Sequence, residues 1–177
     1  MLAKRSVVAL GLTLAAGAAR FAEPSATPRA GVAIDIAGEG GALAARLYPG
    51  DGPRPPAVVL VHGVHHLGMN EPRLVRLAQA FAARGFLVCT PQVEALADYS
   101  LAARGADDIG RAASFLARHA GRRVGILGIS FAGGLAIVAA TRPEHRESVG
   151  WVATLGAHHD LERVLRYFAE GTAAGPD

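Results

Sequence analysis

Four short apolar runs constrain this chain most: AVVLVHG at 57–63, FLVCTP at 86–91, RRVGILGIS at 122–130 and VGWVATLGA at 149–157. A strand with one wet face alternates apolar and polar residues, whereas a continuous apolar run of this length fits a strand covered on both faces, as in a parallel sheet. The stretches between the runs have helical spacing. One helix starts near Asn70, with Asn70 as N-cap and Pro72 in the first turn. It sets Leu74, Leu77, Ala78 and Phe81 on one face and ends at Gly85. DDIGRAASFLARHA repeats the pattern with Ile109, Ala113 and Leu116, FAGGLAIVAAT stops before Pro143, and Asp160 can cap a last helix presenting Leu161, Val164, Leu165 and Phe168. Ahead of these units, GVAIDIA and ALAARLYP flank the turn-forming GEGG and predict an antiparallel hairpin. Parallel strands joined through helices need right-handed crossovers, so the expected class is α/β: a mostly parallel twisted sheet with helices on both faces and an opening antiparallel hairpin.

Composition agrees with one globular domain: 177 residues, 51% hydrophobic and 19% charged. The net charge of +3 comes from scattered arginines without a basic run, which argues against nucleic acid as a partner. The single cysteine, Cys89, lies inside an apolar run and reads as a small core residue. At the amino end, Lys4 and Arg5 precede an apolar stretch from Val7, and Ala16 and Ala18 form an A-x-A-like cleavage site. Residues 1–22 are therefore expected to be a signal peptide or N-terminal anchor, 23–29 a linker and 30–177 the folded domain. Export to the periplasm or exterior follows, with membrane contact only if the first segment stays uncleaved.

The stretch LGISFAGG, at 127–134, places Ser130 where a predicted strand meets a predicted helix. Glycine and alanine neighbours permit the sharp reversal, and the helix that follows aims its first N–H groups and the positive end of its dipole at the same spot. Read alone, Ser130 is either a nucleophile awaiting a base or simply a turn serine.

Gly128-Ile129-Ser130-Phe131-Ala132 resembles the G-x-S-x-G nucleophile elbow of the α/β-hydrolases, with Ala132 in place of the last glycine. LVHGVHHLG, ending the first buried strand, is similar to the H-G segment that supplies an oxyanion-hole amide in that superfamily. The order of hairpin, H-G strand, helix, strand, helix and elbow strand also matches, over roughly residues 30–170. The resemblance, to serine esterases and dienelactone-hydrolase-like members, implies that Ser130 is the nucleophile and that the Phe131 and Val64 backbone N–H groups hold the oxyanion. It implies hydrolysis of a small-molecule carboxylic ester or related acyl compound, without a cofactor. It also places the elbow strand between the H-G strand and WVATLGA, so that His65, His66, His158 and His159 flank Ser130 as substrate-contacting candidates. His62 is read as a structural histidine. No metal site is assigned, because no H-E-x-x-H or cysteine-rich spacing accompanies these histidines.

The superfamily's triad order is serine, acid, histidine. The acid usually follows the strand after WVATLGA, and the histidine one strand later. This sequence stops before either, so the domain is expected to be incomplete at its carboxyl end. Asp160 is the candidate acid and His158 or His159 a substitute base. The alternative function is a non-catalytic hydrolase-like binding domain or inactive fragment.

Overall fold

A computed structural model describes residues 29–38, 40–157 and 161–170; the expected signal segment and most of the linker lie outside them, as do His158, His159 and Asp160. The strands are β1 (Val32–Ile36), β2 (Leu43–Tyr48), β3 (Ala57–Val61), β4 (Leu87–Pro91), β5 (Val124–Ile129) and β6 (Val149–Leu155). The helices are α1 (Pro72–Ala82), α2 (Glu94–Ala97), α3 (Arg104–Ala120), α4 (Phe131–Thr141) and α5 (Leu161–Glu170). One sheet in the order β1-β2-β4-β3-β5-β6 joins the six strands. The pairs β1/β2 and β2/β4 are antiparallel, while β4/β3, β3/β5 and β5/β6 are parallel.

Two cores explain three of the four apolar runs. The fourth, β6, is the last strand of the sheet and, contrary to expectation, only its Val149 is buried while Leu155 is exposed, because β6 pairs on one side only among the described residues. Along β3, Val59 and Val61 enter a cluster with Cys89, Ile126, α3 residues Ile109, Ala113 and Leu116, and α4 residues Ala132, Ala136 and Ala139. Val58 and Leu60 point the other way, into a smaller cluster with Tyr48, Val88 and α1 residues Leu74, Ala78 and Ala82. Side chains alternate across a strand, so helices on both faces favour apolar residues at successive positions, and Thr90 in β4 is the buried polar exception among the described residues of these strands. Burial pushes the Cys89 thiol up to about 12, leaving it the inert core residue expected.

Three local features differ from the expectation. Glu71, not Asn70, caps α1: its Oε2 accepts the Leu74 N–H at 2.8 Å and its Oε1 the Arg73 Nε–H at 2.7 Å. Asn70 closes a 3-10 turn, Gly68–Asn70, and its side chain accepts a bond from Arg46. With Pro72 supplying the first helical residue, the carboxylate one step before it is the group in reach of the free amides. Partial burial would raise the Glu71 carboxyl, but Arg73 and the Leu74 and Arg73 amides outweigh it and hold it at about 2. The four-residue α2 is too short to show a period. Helix α3 begins at Arg104, three residues ahead of Asp107, and ends on Gly121, whose φ of 63° suits glycine. No helix among the described residues is long and apolar enough to cross a membrane.

Candidate active site

Ser130 stands between β5 and α4 with φ 55° and ψ −130°, a conformation costly for a residue with a side chain. The surroundings enforce it. The Ser130 N–H donates to the Leu155 carbonyl of β6 at 2.7 Å, and its own carbonyl accepts the Gly133 N–H at 2.9 Å. A Cβ on Gly128 would stand 2.6 Å from the Ala132 oxygen and 2.7 Å from Gly133 Cα and N. A Cβ on Gly133 would meet Ala157 Cβ at 2.6 Å and Thr154 Cβ at 3.0 Å. The elbow is therefore tight on two sides: helix against its own strand, and helix against β6. Ala132, fully buried in the large core, occupies the motif's last position with its methyl packed inward.

Across from the elbow lies the loop after β3. A Cβ on Gly63 would come within 3.3 Å of Ser130 Cβ, so the two turns are in contact. Segment 92–96 holds this loop: Val93 N–H donates to His62 Nε2 at 3.1 Å, His65 N–H to the Leu96 carbonyl at 3.3 Å, and Met69 N–H to Gln92 Oε1 at 2.9 Å. His62 Nδ1 lies 2.8 Å from the Gly63 carbonyl. Because Nε2 must accept from Val93, Nδ1 carries the proton and donates to Gly63. Both ring nitrogens are thus committed, and His62 is a brace for the loop.

Burial lowers the His62 pKa against the opposing pull of the Gly63 carbonyl and Glu94, and burial does the same to His145. A histidine with a depressed folded pKa stabilises the fold above its unfolded value of about 6.5, and that stability is lost as pH falls through the folded value. The urea midpoint is accordingly expected to drop between about pH 7 and pH 5, with a shallower drop in His62→Gln. A wild-type midpoint that stays level over that interval contradicts this reading.

The two turns bound a hollow of about 470 Å³ lined by His62, Gly63, Val64, His65, Glu71, Arg73, Leu74, Leu77, Ile129, Ser130 and Leu155. Of the expected site residues, Ser130, Val64 and His65 thus meet around one space. Phe131, as first residue of α4, has an N–H with no intrahelical acceptor, and the Val64 N–H makes no backbone bond among the described residues. His66 does not line the hollow; it is exposed and stacks on His65 with ring centroids 4.6 Å apart. Within the described residues, the Ser130 hydroxyl makes no hydrogen bond to a base. Sequence reasoning missed Glu71, Arg73 and the α1 leucines, whose presence here depends on how α1 sits over the sheet, and the Leu155 carbonyl, for which no side-chain signal exists.

A larger hollow, about 660 Å³, shares no lining residue with this one. Asp107, Glu144 and His145 bring possible ligand atoms within 4.8 Å of one another there. Part of its charge is paired, Asp107 with Arg142 and Asp108 with Arg111, and His145 Nδ1 bonds Ser114 Oγ at 3.0 Å. The smaller hollow, where the Ser130 hydroxyl makes no hydrogen bond among the described residues, is the candidate site.

An open sheet in this order, with a strained serine between its parallel elbow strand and the following helix, is the α/β-hydrolase fold. Solved structures show the same. A dienelactone hydrolase from Anabaena variabilis matches with a TM-score of 0.62 and 22% identity, covering 78% of this chain and 68% of its own. An esterase from Pyrococcus furiosus matches with a TM-score of 0.63 and 15% identity, covering 84% and 62%. Brefeldin A esterase, a bacterial homologue of human hormone-sensitive lipase, matches with a TM-score of 0.58 and 22% identity, covering 81% and 47%. The chain thus spans between 47% and 68% of the length of these three proteins. No protein-family model matches it, and no curated protein matches it in sequence.

Proposed function

We propose that this chain carries the nucleophile and oxyanion-binding elements of a serine hydrolase acting on a small carboxylic ester or related acyl compound. The observation that carries the reading is Ser130: a non-glycine residue at φ 55°, heading a helix and facing a hollow shared with the Val64 loop. Backbone strain of this kind is worth roughly 1–3 kcal/mol and persists where function or packing demands it. The esterase and hydrolase names of the structural neighbours support the same chemistry.

In this reading Ser130 Oγ attacks the carbonyl carbon as its proton passes to a base, and the carbonyl oxygen, now negative, accepts bonds from the Phe131 and Val64 amides. Collapse expels the alcohol with that proton and leaves an acyl-Ser130 ester, which water then hydrolyses. The base lies outside the described residues. Leu74, Leu77, Ile129 and Leu155 give the hollow apolar walls of a size for a small acyl group. Hydrolysis of short-chain p-nitrophenyl esters by the whole chain is the test: turnover that Ser130→Ala removes supports the reading. Absence of turnover favours the alternative, a non-catalytic hydrolase-like binding domain.

A further inference from the structure

We propose that His65 is a neutral hydrogen-bond donor to the oxygen of the reacting acyl group, a side-chain supplement to the Val64 and Phe131 amides, and not the base. The proposal rests on the serine-hydrolase reading of Ser130. His65 is half-buried and lines the same hollow as Ser130, one residue beyond Val64. The Leu67 N–H donates to its Nδ1 at 3.1 Å. An amide proton is met only by a lone pair, so Nδ1 is unprotonated and the neutral ring carries its proton on Nε2. Turning the ring over would set a carbon against that amide.

The other contacts hold the ring where it is. His65 N–H is bonded to Leu96, the His65 carbonyl accepts the Gly68 N–H at 2.9 Å, and His66 stacks on the imidazole at an interplanar angle of 21°. Nε2 donates to no group among the described residues, which leaves it available to a ligand in the hollow. To act as base, Nε2 would need the lone pair, and moving the ring proton to Nδ1 would break the Leu67 bond. A donor, in contrast, needs no rearrangement and gains strength as the carbonyl oxygen becomes an anion.

The test compares wild type, His65→Gln and His65→Leu as whole chains. Long-range proton–nitrogen NMR on the wild type is expected to show the proton on Nε2; a proton on Nδ1 overturns the proposal without reference to activity. With p-nitrophenyl acetate, His65→Leu is expected to lower kcat on the order of 100-fold with KM nearly unchanged, the usual loss for one oxyanion donor. His65→Gln, which keeps an N–H donor, should recover most of that loss. Equal losses in both variants, or none in either, in an active wild type overturn the donor role alone. A wild type without turnover overturns the serine-hydrolase reading, and the donor role with it.

Discussion

Alanine at position 130 is expected to bring ester turnover to background while the protein stays folded. Removing the serine from an assembled hydrolase site costs on the order of 10⁶ in kcat, because the base then has no nucleophile to activate and only the oxyanion hole and substrate binding still contribute. The fold should not notice. The Ser130 hydroxyl makes no hydrogen bond among the described residues, and the contacts that set its backbone, to Leu155 and from Gly133, are main-chain bonds that alanine keeps. Ser130→Gly should be equally inactive yet more stable by about 1 kcal/mol, because glycine accepts a positive φ without strain. Measured turnover and urea midpoints would thus move independently, as expected where strain serves function. Residual turnover near wild type in Ser130→Ala places the nucleophile elsewhere.

Gly128→Ala is expected to have the second largest effect, through the fold. The added methyl meets backbone of α4 within 2.7 Å, and helix backbone cannot swing aside as a side chain can. Either α4 lifts from β5 or the elbow opens, at roughly 3 kcal/mol, and turnover should fall with the urea midpoint. Gly134, six residues on and in the same helix, is the internal control. A Cβ there meets nothing within 4 Å, so Gly134→Ala should stabilise α4 by about 1 kcal/mol. Equal effects of the two substitutions would contradict the close packing of strand and helix at the elbow.

The sheet was readable in the sequence because burial on both faces erases polar alternation, and β3, sending Val59 and Val61 one way and Val58 and Leu60 the other, shows why. The elbow was readable because few residues besides glycine and alanine fit at 128, 132 and 133. Cap chemistry was not. Asn70 and Glu71 are adjacent and both able to cap, and the choice followed from where the chain enters α1, beyond any local propensity. His62, a structural histidine, and His65, a substrate-contacting candidate, are already distinguished at the level of sequence, and the structure gives the reason. Both follow β3, yet only His62 sits beneath Val93, where burial and two hydrogen bonds remove it from chemistry. Non-glycine residues at positive φ, such as Tyr99 and Leu101, leave no mark in a sequence either, since their strain is imposed by the loop that holds them.

The central claim is that Ser130 is an activated nucleophile rather than a turn residue, and covalent labelling addresses it most directly. The folded whole chain, treated with a fluorophosphonate and digested, is expected to carry the adduct on the peptide containing Ser130, formed quickly in the native protein and not after unfolding in urea. Adduct on other serines, or on Ser130 only at the slow rate of the unfolded chain, would contradict the claim and leave the strand-end hollow as a binding site without the chemistry.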